Sequence, residues 1–195
     1  MGSVHALAAQ AQRLNRDAGA PAIPALFFFT DPKRTPDPCA IAQRLPRGAA
    51  IVYRHFGAAD RAQTARKLAA LAASRGLVLL IAADPELAQR AGAGGVHWPE
   101  RFAPVRGPGF MTVSAHGAEG ISRAAAAGAD ACVLAPVFAT RSASGNAPLG
   151  LFHASQLARA ATTPVVALGG VNANTARRLS GRGFAGVAAV DAFAA

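Results

Sequence analysis

Short apolar runs alternate along the chain with longer segments in which apolar residues recur at helical spacing. The runs with the length and composition of strands span residues 25–30, 49–54, 77–82, 94–98, 110–115, 131–136, 164–169 and 186–191. The helical patterns lie near residues 37–45, 59–75, 85–91, 118–127, 152–161 and 172–181. Asp37, Asp84 and Asn172 stand where helix caps are expected. Because continuous apolar strands need both faces covered, this series predicts a parallel sheet with helices around it.

Eight strand–helix units favour a compact (β/α)8 TIM barrel, an α/β fold in a single domain. We expect a short N-terminal helical extension over residues 1–22, the barrel over residues 23–195, and a short fourth helix after Trp98. The alternative is a doubly wound open sheet, which carries a glycine fingerprint after an early strand. Residues 27–38 contain no glycine, so the barrel is the preferred interpretation.

The composition and charge of the chain limit the kinds of ligand and partner that it is expected to bind. Hydrophobic residues make up 52% of the 195 residues, but no apolar run reaches the roughly 18 residues that cross a bilayer. The N-terminus lacks the features of a signal peptide, so a cytoplasmic location without membrane contact is expected. The net charge of +10 comes from scattered arginines without a basic block, which favours a small anionic ligand over nucleic acid. Cys39 and Cys132 have no metal-ligand spacing, and no metal site is predicted from them.

The ends of the last two predicted strands are the first candidates for a binding site, because many barrels hold phosphate there. Gly169 and Gly170 let the backbone approach an anion, and the following helix offers free N–H groups at its start. The alternative is a plain turn that needs a positive φ. Val190 and Asp191 end strand eight, where the Asp191 carboxylate repels a phosphate unless it is paired or instead caps the last helix.

Other strand ends carry further polar candidates. The loop after strand six contains Thr140, Arg141 and Ser142, all able to donate hydrogen bonds to an anion, although a solvated loop is the alternative. His116 follows strand five and is the best-placed general acid or base. The remaining strand-end candidates are Arg54, His55, Asp84, His97 and Glu100. For each histidine, a hydrogen-bonded residue lining the rim is the competing interpretation.

Four stretches resemble the thiamine phosphate synthase family, which includes the thiazole tautomerase TenI. They read AGAGGVHWPE, VSAH, GADACVLAPVFATRS and PVVALGGVNANTARRL, and the likeness extends over nearly the whole chain. The resemblance implies a barrel that binds a small phosphorylated thiazole or pyrimidine. The synthase joins a pyrimidine pyrophosphate to a thiazole phosphate and releases pyrophosphate with the help of magnesium. In the tautomerase branch a histidine after strand five exchanges protons without a metal, and His116 matches its position.

The chain departs from the family pattern where the synthase holds magnesium and pyrophosphate. Of the Gln-x-Arg-x-Lys motif after strand two only Arg54 remains, and Ala82–Ala83 and Pro99–Phe102 replace the motifs that supply metal-binding aspartates. The lysine of the strand-six loop is also missing, and Asp191 stands where the family has a serine. Magnesium is therefore an alternative only if Asp84 or Glu100 takes over as ligand. Otherwise Arg54 and Arg141 act as fixed positive charges.

Three functions follow from this pattern. A synthase-like transferase needs magnesium, whereas a tautomerase-like isomerase depends on His116 and tolerates a chelator. A catalytically degenerate barrel retains binding of the small anion without turnover. No oligomeric state is predicted.

Overall fold

The computed structural model describes residues 3–140 and 147–193, and in it eight parallel strands close into a barrel in chain order. The strands are β1 Leu26–Phe29, β2 Ala50–Tyr53, β3 Val78–Ala82, β4 Gly95–Trp98, β5 Phe110–Ala115, β6 Ala131–Leu134, β7 Val165–Ala167 and β8 Phe184–Ala189. Because β1 also pairs with β8, for example Phe27 with Ala188, the sheet has no open edge. The predicted barrel is confirmed and the doubly wound open sheet is wrong.

Seven helices surround the strands within the described residues. They are α1 Ser3–Asp17, α2 Pro38–Ala42, α3 Arg61–Arg75, α4 Pro85–Ala91, α5 Ala118–Ala126, α6 Leu151–Ala160 and α7 Ala173–Arg177, and a 3-10 helix spans Asp191–Phe193. The predicted caps are confirmed. The carboxylates of Asp37 and Asp84 accept the N–H groups of Ala40 and Leu87, and Asn172 begins α7 with a capping box. None of the described helices is long and apolar enough to span a bilayer.

Strand alternation divides the apolar residues into two buried clusters. One cluster, which includes Phe27, Phe29, Val52, Leu80 and Val133, fills the inside of the barrel. The other lies between the strands and the helices. A strand residue of the inner cluster that stands near a carboxyl end therefore faces the mouth of the barrel.

Two details of the prediction are wrong. The described chain has no helix between β4 and β5, because the segment after Trp98 carries Pro99, Pro104 and Pro108, which supply no N–H donors for a helical ladder. Strand β8 begins and ends two residues earlier than predicted. It pairs with β7 from Phe184 onward, across a register shift at β7, and the chain then turns into the 3-10 helix.

Helix α1 completes the ring of helices at the point where β8 is followed by only a short 3-10 helix. It packs against β8 and α7 and buries Leu7, Ala11 and Leu14. The N-terminal segment thus contributes to the packing around the barrel, while the division of the chain at residue 22 stays a prediction.

Candidate functional site

The carboxyl ends of the strands surround a cavity of about 550 Å³. The predicted site residues that line it are Arg54, His97, Glu100, His116, Thr140, Gly169, Gly170, Val190 and Asp191. Arg34, Phe56, Arg101 and Ser114 also line it, and none of these four was a candidate from the sequence. Arg141 and Ser142 lie outside the described residues. The cavity therefore gathers polar groups from strand ends that are far apart in the sequence.

Arg54 places a half-buried positive charge at the end of β2. Its Nε donates to the carbonyl oxygen of Thr30 at 2.9 Å, and its backbone N–H donates to the Thr30 hydroxyl at 2.9 Å. The guanidinium carbon lies 5.2 Å from the centre of the Phe29 ring, and no described carboxylate forms an ion pair with it. Burial lowers the pKa of Arg54 to about 10, so the group stays charged at neutral pH. An unpaired cation lining a cavity favours an anionic ligand.

His116 is held at the end of β5 with one ring nitrogen fixed by the backbone. Its Nδ1 lies 2.5 Å from the carbonyl oxygen of Ala135, which can only accept, so Nδ1 carries the proton and donates. Nε2 lies 3.5 Å from Glu100 Oε2, and Arg123 donates to the other Glu100 oxygen at 3.1 Å. Nε2 is therefore the atom able to exchange a proton with a ligand, and an anchored carboxylate stands beside it.

Asp191 is paired, which resolves the conflict between its charge and an anion site. Arg34 Nη1 donates to both Asp191 oxygens at 3.3 Å, and Arg34 Nη2 donates to Asp31 at 3.1 Å. Desolvation raises the pKa of Asp31, but the hydrogen bonds from the backbone and side chain of Arg34 and from the Lys33 backbone together outweigh it, so the pKa is lowered. Arg34 lies in the loop after β1. The order of strands along the sequence places that loop at the mouth of the barrel, and this position could have identified Arg34 as a site residue.

Gly169 and Gly170 adopt left-handed backbone conformations, with φ of +93° and +64°. The loop after β6 packs against them, since the N–H groups of Val137 and Phe138 donate to the carbonyls of Leu168 and Gly169. A tight turn is thus one role of these glycines. The same turn lines the cavity, and none of the hydrogen bonds between described residues uses the N–H of Gly170.

The start of α7 offers fewer free donors than expected. The side chain of Asn172 accepts the N–H groups of Asn174 and Thr175, and the Thr175 hydroxyl accepts the N–H of Asn172. The expectation of free helix N–H groups is therefore wrong at these positions, because the capping box occupies them. Among the described hydrogen bonds none uses the N–H of Ala173, so backbone donation to a ligand falls to this N–H and to the turn before the helix.

Replacing Gly170 with alanine is expected to destabilise the fold more than the matched change Gly19→Ala. Both glycines have φ of +64°, so an alanine at either position is held in a left-handed conformation, which lowers the free energy of unfolding by about 1–2 kcal/mol. A Cβ on Gly170 also meets Ala139 O at 2.3 Å and Phe138 Cβ at 2.8 Å, whereas nothing lies within 4 Å at Gly19. We expect about 1–3 kcal/mol of additional loss, measured by urea unfolding. Equal losses in the two variants would contradict this packing argument.

His55 and Asp84 do not line the cavity. The His55 ring packs 5.0 Å from that of Tyr53, and burial lowers the pKa of His55. Asp84 caps α4, and one of its oxygens lies 3.8 Å from Arg61 Nε. Capping therefore explains the Asp84 side chain, whereas His55 packs against Tyr53 with its Nε2 buried and without a hydrogen-bond partner among the described residues.

The residues of this cavity do not fit a magnesium site. Magnesium binding uses one or two free carboxylates together with substrate phosphates. Asp31 and Asp191 are paired with Arg34, Asp84 with Arg61, and Glu100 with Arg123. The described part of the chain contains no group of three His, Cys, Asp or Glu side chains able to hold a metal ion.

His97 lies inside the barrel with both ring nitrogens hydrogen-bonded. Nδ1 lies 2.8 Å from Thr112 Oγ1, and Nε2 lies 3.0 Å from Ser114 Oγ. Burial, with a smaller effect of Arg54, lowers the pKa of His97 to about 3, so the ring is neutral at physiological pH. Ser114 was missed, but the alternation of polar and apolar residues along β5 points its side chain into the barrel with Thr112.

An aromatic rim lies on the side of the cavity nearest β2 and β4. Phe56 is 47% exposed, and the guanidinium carbons of Arg61 and Arg101 lie 5.1 and 5.7 Å from its ring centre. Arg101 also lies 4.7 Å from the centre of the Phe102 ring. These cation–π contacts give the mouth a flat, partly apolar surface suited to a ring-shaped ligand.

Known proteins resemble this chain over most of its length. A family model described as thiamine monophosphate synthase matches residues 26–193. A thiamine-phosphate synthase of Bacillus velezensis is 27% identical over 195 aligned residues, covering 92% of this chain and 87% of that protein. One of Alcanivorax borkumensis is 30% identical over 181 residues, covering 86% of this chain and 83% of that protein. A solved thiamine phosphate pyrophosphorylase from Pyrococcus furiosus has the same fold, with a TM-score of 0.76, 23% identity and 87% of each chain covered.

Proposed function

Because the chain belongs to the thiamine monophosphate synthase family, we propose that its cavity binds a phosphorylated thiazole carboxylate and isomerises it by proton transfer without a metal. One observation carries this proposal. The proton-exchanging Nε2 of His116 lines the same cavity as the unpaired guanidinium of Arg54. A general acid or base beside a fixed positive charge suits proton transfer on an anionic ligand.

The ligand phosphate is placed at the ends of β7 and β8. The N–H of Gly170, which donates to none of the described residues, is its backbone donor there, and Thr140 lines the same part of the cavity. Arg34 offsets the charge of Asp191 beside it. This arrangement leaves Arg54 for the ligand carboxylate, and it brings the ring of the ligand toward His116.

His116 carries the proton in the proposed reaction. Nε2 takes a proton from one carbon of the thiazole and returns it to another, so the product is an isomer and no other reactant is consumed. The Ala135 carbonyl holds Nδ1–H throughout, which keeps the ring in one orientation. While Nε2 is protonated, Glu100 offsets the positive charge of the ring, as a carboxylate beside a catalytic histidine does elsewhere.

Transfer chemistry is the second candidate, since the curated relatives are thiamine-phosphate synthases. It is disfavoured because each carboxylate near the cavity is already held in an ion pair with arginine. The degenerate barrel, which binds without turnover, is the third.

One assay separates these functions. The protein is incubated with the thiazole carboxylate phosphate isomer, or with a pyrimidine pyrophosphate and thiazole phosphate, each with EDTA or with magnesium. We expect isomerisation at the same rate in both conditions. Magnesium-dependent release of pyrophosphate would instead establish the transferase. Calorimetric binding of the thiazole with no turnover of either substrate set would establish the degenerate barrel.

Replacing Arg54 with methionine is expected to weaken binding of the thiazole carboxylate phosphate about 10- to 100-fold. This is the size of a lost hydrogen bond between charged groups, about 1.5–3 kcal/mol. Titration calorimetry compares this ligand with the thiazole phosphate that lacks the carboxylate, and Arg90→Met, on the exposed side of α4, is the control. An equal loss for both ligands would mean that Arg54 holds the phosphate instead.

A further inference from the structure

A row of three hydrogen-bonded side chains runs along the inside of the barrel to the cavity. Thr112 Oγ1 lies 2.8 Å from His97 Nδ1, and His97 Nε2 lies 3.0 Å from Ser114 Oγ. Thr112 is fully buried away from the cavity, His97 is buried at its inner edge, and Ser114 lines it. The direction of these two hydrogen bonds decides what the Ser114 hydroxyl offers to a ligand.

The buried end of the row determines the direction. The Thr112 side chain is fully buried, and its hydroxyl has no hydrogen-bond partner among the described residues except His97 Nδ1. If Nδ1 donated, the Thr112 proton would be left in the barrel interior without an acceptor, which costs free energy. The Thr112 hydroxyl therefore donates, and His97 Nδ1 accepts.

The neutral ring of His97 then determines the direction of its hydrogen bond with Ser114. Burial keeps His97 uncharged, because it lowers the pKa of the ring to about 3. A neutral imidazole holds one proton, and with Nδ1 accepting, that proton lies on Nε2. Nε2 then donates to Ser114 Oγ. The Ser114 hydroxyl has accepted one hydrogen bond, and its own proton is left for an acceptor in the cavity.

We propose that Thr112 and His97 are positioning residues that set the Ser114 hydroxyl as a hydrogen-bond donor to a carboxylate or phosphate oxygen of the ligand. The direction of these hydrogen bonds does not depend on the proposed function, whereas the class of ligand rests on that function. With the opposite direction, Ser114 would point a lone pair at the anion and repel it. The row thus makes the cavity selective for acceptor groups without adding a buried charge.

The tautomer of His97 tests the direction in the ligand-free protein. Long-range ¹H–¹⁵N spectra of ¹⁵N-histidine-labelled protein distinguish a protonated ring nitrogen from an unprotonated one, and the His97→Gln variant assigns the signals. We expect the His97 proton on Nε2. A proton on Nδ1 would overturn the proposal whether or not any ligand has been found, so this result is separate from a failure of the proposed function.

Paired variants test the positioning role. Thr112→Val removes the donor at nearly constant volume, and Thr112→Ser restores it. With the thiazole carboxylate phosphate as probe, we expect Kd to rise about tenfold in Thr112→Val and to return toward the wild-type value in Thr112→Ser. In a Ser114→Ala background, Thr112→Val should have no further effect. Tenfold weakening that persists in that background would show that Thr112 does not act through Ser114 and would overturn the proposal.

Discussion

Replacing His116 with alanine is expected to lower kcat for thiazole isomerisation by about 10²- to 10⁴-fold, the usual contribution of a general acid or base. The loss should fall on kcat more than on KM, because Arg54 and the turn at Gly170 still hold the anionic groups of the ligand. His153→Ala is the matched control, since that histidine lies exposed on α6 away from the cavity.

A second substitution separates the roles of the ring and its neighbour. Glu100→Gln keeps the shape of the side chain but removes the charge beside Nε2, so kcat should fall by a smaller factor than in His116→Ala. Steady-state kinetics in the presence of EDTA measures both. An unchanged kcat in His116→Ala, with the substrate still isomerised, would assign the proton transfer to another group in the cavity.

The barrel follows from the sequence because its signal is local. Each strand is a short apolar run between helix caps and glycines. Such strands need both faces covered, and this requirement applies to every strand of the chain. The connection between β4 and β5 shows the limit of this argument. The alternation of strands and helices along the chain predicted a helix there, but prolines within the segment remove the N–H donors that a helix needs.

From the sequence, only those site residues that stand at the ends of strands could be predicted. Arg54 and His116 stand at such ends and line the cavity. His55 stands beside Arg54 just after the end of β2, but its ring packs against Tyr53 instead of facing the cavity. The alternation of side chains along β5 would have identified Ser114.

Ion pairs between distant segments could not be predicted in this way. The role of Arg34 depends on Asp191, 157 positions away in the sequence, and only barrel closure brings the loop after β1 beside the end of β8. The charge of Asp191 therefore counted against an anion site until its partner was known. Pairing of this kind depends on tertiary packing rather than on any local pattern.

Acid is expected to destabilise the protein through His97 before most carboxylates are protonated. The unfolded ring takes up a proton near pH 6.5, whereas burial lowers the pKa of the folded ring to about 3. Between these values the unfolded state binds more protons, so the free energy of unfolding falls as the pH falls. From pH 7 to pH 5 this single group should remove about 2 kcal/mol.

Urea unfolding of the wild type and of His97→Gln at pH 7 and pH 5 measures this contribution. The glutamine retains hydrogen-bonding groups inside the barrel but does not titrate, so its loss between the two pH values should be smaller by about 2 kcal/mol. Asp31 does not interfere, because its pKa is lowered below the usual aspartate value and its contribution is lost at more acidic pH. The pKa of His55 is also lowered, but His55 is present in both proteins and cancels in the comparison. An equal loss in the two proteins would mean that His97 accepts a proton in the folded barrel, and the neutral ring required for the row from Thr112 to Ser114 would then not exist at pH 5.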